Sequence, residues 1–197
     1  MNKKRGRPPK YDEAEVLEKA LGIFWVKGLS STSLDDLSAA MGMNRPSIYN
    51  AFGDKESIYR LAFSRFSKKV EMGAYEALFS LESLPLSLEK MFVRALDVYY
   101  QEEVALGCFC MSTAPVESIQ YPNIKEDLHS LIEKIDQAVE KRLLLEQESG
   151  WKPDADTKVM AKLIHAVLQG IAIRVRSGEP REPLDKLFKS TIEMVCY

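Results

Sequence analysis

Four polar side chains within one six-residue stretch provide the groups needed to read a nucleic acid duplex: Arg45, Ser47, Tyr49 and Asn50. A guanidinium favours the two acceptors of guanine, and a carboxamide favours adenine. The stretch therefore predicts contact with double-stranded DNA, with Arg45, Ser47 and Asn50 best placed for base edges. To reach a groove, these groups must project together from one rigid element.

Two short predicted helices joined by a glycine turn would provide that element. Ser33 can cap the first helix with Asp36 as its capping-box partner, and Gly42 supplies the backbone freedom for a sharp exit. Asn44 can cap the second helix, whose first turn tolerates Pro46. This layout is typical of a helix-turn-helix, whose second helix fits the major groove.

The apolar positions predict which faces these helices bury. Leu34, Leu37 and Met41 share one face of the first helix. Ile48 and Ala51 are spaced to point inward from the second, which leaves the four polar side chains outside.

The segment over residues 49–56 resembles the N-terminal domain of TetR-type transcriptional repressors. Its Tyr-x-x-Phe-x-x-Lys-Glu core follows Gly42 and an apolar helix that contains Phe24. The resemblance covers residues 11–66. One departure is Ser38, where a generic helix-turn-helix more often has alanine, but serine is still small enough for close packing.

The resemblance implies that Tyr49 and Lys55 contact phosphates, with help from backbone N–H groups where the next helix begins. Thr32 and Ser33 open the helix before the glycine turn, so we expect their hydroxyls to reach a phosphate as well. Asn44 completes this expected DNA-binding set as the cap of the reading helix.

The first ten residues contain five cations, no acid and two prolines, which predicts a free basic arm. Its Arg5-Gly-Arg7 core resembles the AT-hook, in which such a segment lies in a narrow A·T minor groove. The alternative is a solvated tail that attracts phosphates without sequence preference. Both interpretations predict that Arg5 and Arg7 contact DNA.

Charge is unevenly distributed along the 197 residues. Residues 1–70 carry 13 Lys and Arg against 8 Asp and Glu, a balance of +5, while residues 71–197 carry 14 against 21, a balance of −7. The basic part contains the helix-turn-helix. No apolar run approaches the roughly 20 residues that cross a bilayer, and nothing hydrophobic follows the N-terminal cations, so we expect a cytoplasmic protein without membrane contact.

Hydrophobic periodicity predicts an all-α fold of about nine helices, without strands or internal repeats. The predicted helices span residues 12–28, 33–41, 44–52, 54–79, 87–104, a short irregular element in 107–122, 123–148, 154–176 and 183–195, with Leu84-Pro85 as a break. The predicted organisation is a flexible arm at 1–10, a three-helix DNA-binding domain at 11–66, and a larger C-terminal helical domain for effector binding and dimerisation at 67–197.

The last two predicted helices are the candidates for forming a homodimer. One recognition helix reads too few base pairs to find a single site, so a two-fold dimer on a palindromic operator is expected. The apolar positions are Val159, Leu163, Ala166, Val167, Gly170, Ile171, Leu184, Leu187, Phe188 and Ile192. They suit a pair-on-pair four-helix bundle, as the resemblance also implies, although the same stripes could close the monomer's own core.

The resemblance further implies a small-molecule pocket among the middle helices, whose occupation moves two recognition helices away from a groove spacing of roughly 34 Å. The candidate lining is rich in aromatic rings and sulfur and suits an apolar effector. It consists of Phe92, Tyr99, Cys108, Phe109, Met111, Tyr121, His165 and Gln169. Taken alone, each of these residues fits ordinary core packing better, because methionine and aromatic side chains at helical spacing are what cores are made of.

Cys108 and Cys110 stand at the expected start of a helix, where the positive helix end can stabilise a thiolate. They are therefore candidate sensors of oxidants or electrophiles, and buried inert thiols are the alternative. Two thiols at i and i+2, without clustered His or Cys, do not complete a tetrahedral set, so no metal is expected.

The sequence thus predicts a ligand-responsive DNA-binding regulator, a repressor by resemblance, released by a small effector or by thiol modification. One alternative is an architectural DNA-binding protein without a ligand switch. An enzyme with a helical catalytic domain is disfavoured, because the only histidines are His129 and His165 and no phosphate-binding loop or nucleophile elbow is present. No cofactor is expected.

Overall fold

The computed structural model describes residues 11–80, 82–101 and 104–197, and over these residues the fold is all-α, as predicted. The predicted arm, with Arg5 and Arg7, lies outside the described residues. The described helices are α1 Glu13–Lys27, α2 Leu34–Met41, α3 Arg45–Phe52, α4 Lys55–Leu78, α5 Leu84–Tyr99, α6 Phe109–Glu117, α7 Pro122–Glu148, α8 Thr157–Arg176 and α9 Arg181–Cys196.

The chain divides into two compact units, the first ending at Ala62 and the second spanning Phe63–Tyr197. The first unit contains α1, α2, α3 and the beginning of α4. Its core centres on Phe24 and Tyr59, both fully buried with ring centroids 5.3 Å apart. Burying these two rings against the apolar stripe of α1 fixes the helices around them.

The second unit contains the rest of α4 and the helices α5 to α9. The α7 and α8 helices pack along each other, and α5 packs against α9 through Phe92 and Phe188, whose rings stack at 5.3 Å. Both rings are buried, so this stack belongs to the core of the unit.

Two details of the predicted elements are wrong. Leu84-Pro85 does not separate helices but begins α5, since proline needs no N–H bond in a first helical turn. The same helix ends at Tyr99 instead of continuing to residue 104, and the chain forms two short antiparallel strands, Tyr100–Gln101 and Val104–Ala105.

In the described residues, no helix is both long enough and apolar enough to cross a membrane.

Candidate nucleic-acid interface

The α2–turn–α3 segment forms the predicted helix-turn-helix geometry. The N–H of Asp36 donates to Ser33 Oγ at 3.1 Å, and the N–H of Ser33 donates to Asp36 Oδ2 at 2.9 Å, which completes the capping box. Gly42 adopts a left-handed conformation with φ of +65°, and the N–H of Met43 returns to the carbonyl of Ser38 at 3.2 Å. The sequence therefore specifies both ends of α2 and the angle of the turn.

A lysine outside the turn reinforces the capping box. Lys27 Nζ donates to Asp36 Oδ1 at 2.7 Å, joining the end of α1 to the start of α2. This hydrogen bond, together with those from Ser33, lowers the pKa of Asp36 to about 2. The carboxylate is thus stabilised in its charged form by the contacts that fold the motif.

The start of α3 is held by Asn44, whose Oδ1 accepts from the N–H of Ser47 at 2.9 Å. Ile48 is fully buried on the inner face of the helix. The expectation that Ala51 also points inward is wrong: Ala51 is exposed, and Phe52 is buried instead. On an α-helix, position i+4 is rotated less from position i than position i+3 is, so Phe52 lies nearer than Ala51 to the buried face of Ile48. The large ring of Phe52 fills the interior there.

The opposite face of α3 is open to solvent. Arg45 and Asn50 are exposed, Tyr49 retains 48% of its surface, and Ser47 is half-buried. Arg45 is not free, because its Nε donates to Asp35 Oδ1 at 3.0 Å, and this bond raises the pKa of the guanidinium. Asp35 therefore positions Arg45, a role that no helical or strand periodicity indicated.

The residues expected to contact phosphates differ in how exposed they are. Ser33 is exposed, whereas Thr32 is only 1% exposed and its hydroxyl donates to the carbonyl of Gly28 at 2.5 Å. This burial argues against the expected phosphate contact of Thr32, because its hydroxyl serves the end of α1. Lys55 Nζ donates to the carbonyl of Thr32 at 2.8 Å, so in this conformation the cation ties the loop before α2 to α4.

The eight residues expected to line an effector pocket mostly pack into the core of the second unit. Phe92 stacks on Phe188, and Phe109 meets Phe66 edge to face with centroids 5.7 Å apart. Met111 and Tyr121 are half-buried. Phe92 and Phe109 are therefore part of the packed core.

Tyr99 does line a cavity, but its volume of about 60 Å³ is too small for most organic effectors. His165 is buried and bonded at both ring nitrogens: Nδ1 lies 2.6 Å from Asp136 Oδ1, and Nε2 lies 3.2 Å from Gln169 Nε2. Asp136 and His165 thus form a polar contact between α7 and α8, and Gln169, one turn after His165 on α8, occupies the other ring nitrogen.

The two neighbouring thiols differ in their chemistry. Cys108 caps α6 and Cys110 lies in its first turn, and both are buried. Hydrogen bonds from Cys110, from backbone N–H groups and from Tyr99 lower the pKa of Cys108. Burial and the bond to Cys108 hold the pKa of Cys110 well above its usual range, and burial does the same for the pKa of Tyr99. Cys108 is therefore the more acidic of the two thiols.

Of the apolar residues on α8 and α9 that were expected to form a dimer, some are buried in the core and others are exposed. Ile171, Leu184, Phe188 and Ile192 are buried within the second unit and belong to its core. Val159, Leu163 and Leu187 are exposed by 51%, 60% and 37%, and Ala166 is exposed beside them. This exposed set, with the half-buried Val167 and Gly170, forms an apolar surface on α8 and α9.

Residues 16–62 match the family model described as bacterial regulatory proteins, tetR family. The chain is 27% identical to the HTH-type transcriptional repressor ComR of Escherichia coli (strain K12) over 98% of this chain and 93% of that protein. It is 22% identical to the HTH-type transcriptional repressor DhaR of Mycobacterium sp. (strain GP1), over 90% and 89% of the two chains.

Solved structures agree on the fold. A cysteine-substituted form of the TetR family transcriptional regulator CifR, complexed with double-strand operator DNA, superposes with a TM-score of 0.86 at 23% identity, over 95% of this chain and 98% of that one. A TetR-family regulator from Cytophaga hutchinsonii gives 0.79 at 21% identity, over 96% of each chain. The fold and the α2–turn–α3 geometry define a helix-turn-helix regulator. Over residues 16–62, which contain α2 and α3, the chain matches the TetR family of bacterial regulatory proteins.

Proposed function

We propose that this chain is a dimeric transcriptional repressor that binds a palindromic operator through α3 and releases it in response to a small effector or to thiol modification. The observation that supports this most strongly is the division of α3 into two faces. Ile48 and Phe52 bury one face, while Arg45, Tyr49 and Asn50 remain exposed on the other. Both ends of this short helix are fixed by Asn44 and Gly53.

The exposed polar groups have separate proposed roles. Arg45, Ser47 and Asn50 contact base edges, with the arginine suited to guanine and the asparagine to adenine. Tyr49 and Ser33 contact phosphates and set the register of the helix in the groove. Lys55, at the start of α4, adds a phosphate contact when its ammonium leaves the carbonyl of Thr32.

The apolar surface on α8 and α9 is proposed to bind a second copy of the chain. Val159, Leu163 and Leu187 are large apolar side chains on adjacent helices, and such surfaces commonly mark an interface. Two copies related by a two-fold axis would present two α3 helices to a palindrome. In this proposal residues 11–66 form the DNA-binding domain and residues 67–197 the effector-binding and dimerisation domain.

The direction of regulation and the release of operator DNA are supported by separate observations. The relatives ComR and DhaR are named as repressors, which supports the same direction of regulation for this chain. For the thiol route, the Cys108 thiolate adds to an electrophilic carbon: one C–S bond forms, the π bond of the electrophile breaks, and the resulting carbanion takes a proton from water. The bulky adduct then has to be accommodated inside a filled core, which strains α6 and its neighbours.

Footprinting on the DNA that carries the chain's own promoter tests this function. A repressor protects one short palindrome from cleavage, and this protection disappears when N-ethylmaleimide modifies Cys108. An architectural DNA-binding protein would instead protect many unrelated sites and would not respond to small molecules. A pattern of the latter kind would contradict the proposal.

A further inference from the structure

A groove between the second half of α4 and the middle of α7 has a volume of about 570 Å³ and lies wholly within the second unit. None of the eight residues expected to bind an effector lines it. Its lining is Glu71, Met72, Ala74, Tyr75, Glu76, Lys134, Ile135, Gln137, Ala138 and Lys141. This volume is in the range of small-molecule sites, roughly 300–1,000 Å³.

The α4 side of the groove carries two large apolar side chains that remain substantially exposed. Met72 is 64% exposed and Tyr75 is 49% exposed. Tyr75 also packs against Phe79 one turn later, with ring centroids 4.3 Å apart. The groove therefore contains an aromatic platform that an additional planar ring could extend by stacking.

Among the charged side chains that line the groove, one lysine is not paired with a carboxylate in the described residues. Glu71 lies 3.5 Å from Lys134, and Glu76 bonds Arg94 at 3.0 Å, so each groove carboxylate has a basic partner. In the part of the chain that the structure describes, Lys141 has no carboxylate partner. Its Nζ lies over the rings of Phe79 and Tyr75 instead, at 5.3 Å and 5.9 Å from their centroids.

We infer that this groove binds a small planar aromatic carboxylate. The ring of the ligand stacks on Tyr75 and covers Met72, and its carboxylate pairs with Lys141 across the groove. A charge-assisted bond to a carboxylate is stronger than an exposed cation–π contact, so Lys141 can exchange one for the other. A neutral ligand would gain no such bond, and a cationic ligand would face the unmatched ammonium.

The position of the groove gives the ligand a route to regulation, and this step depends on the proposed function. The α4 helix runs from Lys55 to Leu78 and contributes residues to both units. A ligand that binds between Tyr75 and α7 contacts the same helix that begins at Lys55. The proposed effector class is therefore an aromatic acid.

Isothermal titration calorimetry of the full chain with 2-naphthoate tests the site directly. The variants are Lys141→Gln, which removes the anchor, and Lys125→Gln, which removes an exposed lysine of the same helix outside the groove. 2-Naphthamide serves as the matched neutral ligand. We expect saturable binding of 2-naphthoate to the unmodified chain and to K125Q, and binding about tenfold weaker for K141Q and for the amide.

Equal affinity of K141Q and the unmodified chain, equal affinity of the acid and the amide, or no saturable binding at millimolar concentration would each overturn the inference. Tyr75→Ala gives a second test, since loss of the stacking ring should weaken 2-naphthoate without removing any charge. Operator binding is measured separately with no ligand present. Its absence would contradict the proposed function and would leave the calorimetric result on the groove unaffected.

Discussion

The backbone of Gly107 lies so close to α8 that a β-carbon at position 107 would come within 2.2 Å of the carbonyl oxygen of Ala172. Gly107 also has a φ of +67°, which disfavours any side chain. The residue immediately precedes Cys108, so this contact sets where α6 begins relative to α8.

Gly107→Ala should therefore lower the free energy of unfolding by about 2–4 kcal/mol, because the clash adds to the backbone strain. Denaturant unfolding measures the change. Gly178→Ala is the matched control, since Gly178 has a φ of +89° and open space around it. The control should lose only about 1–2 kcal/mol. Equal losses in the two variants would show that the contact with Ala172 is unimportant.

The capping box of α2 should make stability depend on acid. The pKa of Asp36 is lowered from 3.8 to about 2, so its folded-state pKa lies below its unfolded value. A depressed carboxyl pKa stabilises the fold above the unfolded pKa, and this contribution is lost as pH falls through the folded one. Asp36→Asn should remove that dependence.

The measurement is the free energy of unfolding of the unmodified chain and of D36N at several pH values. Their difference should be constant above about pH 4 and should shrink between about pH 4 and pH 2. Asp36→Asn also weakens the cap itself, which produces a difference independent of pH. A difference that stays unchanged down to pH 2 would mean that Asp36 is not held in its charged form by Lys27 and Ser33.

Arg45 and Lys55 should affect DNA binding in different ways. Arg45→Ala removes a proposed base contact, so preference at one base pair of each half-site should relax, at a cost of about 1–3 kcal/mol. Lys55→Ala removes a proposed phosphate contact and should weaken binding to all sequences alike, with a smaller salt dependence.

Binding titrations over a set of single-base operator variants separate the two effects. Melting temperatures of both variants are needed as a control, because Lys55 Nζ also donates to the carbonyl of Thr32. A uniform loss from R45A would rule out its proposed role in reading a base.

Substitution of Cys110 and substitution of Cys108 should have different effects on thiol reactivity and on DNA release. Hydrogen bonding from Cys110 is the largest cause of the lowered pKa of Cys108. Cys110→Ala removes this donor and should slow alkylation of Cys108 at neutral pH several-fold, whereas Cys108→Ser should abolish electrophile-dependent release of DNA.

Mass spectrometry after timed treatment with iodoacetamide over a range of pH values measures the reactivity of each thiol. Cys196 is an internal reference, because burial raises its pKa to about 11. Release of DNA by electrophiles from a Cys108→Ser, Cys110→Ser double variant would exclude these thiols as the switch.

Local features of the fold were predictable from the sequence because each depends on neighbours along the chain. The caps at Ser33 and Asn44 and the turn at Gly42 are set by contacts within a few residues, and the structure contains all three. The burial of Phe52 in place of Ala51 was missed because spacing alone does not say which of two adjacent positions faces the interior.

Contacts between distant segments could not be predicted in this way. The pairing of Asp35 with Arg45 crosses a turn, and that of His165 with Asp136 joins α8 to α7 through two residues that are 29 positions apart in sequence. The same limit explains the pocket, since aromatic and sulfur-containing side chains predict an apolar interior but not whether it is filled. In the described residues most of these side chains pack into the core, and a groove of about 570 Å³ lies beside Met72 and Tyr75.

The central claim is that two copies of α3 read one palindrome. Selection of bound sequences from random DNA, followed by native mass spectrometry of the chain on the selected duplex, tests it most directly. We expect an enriched palindrome whose half-sites are separated by about one helical turn, bound by an even number of chains. A single chain on the duplex, or selected sequences without a shared motif, would contradict the claim.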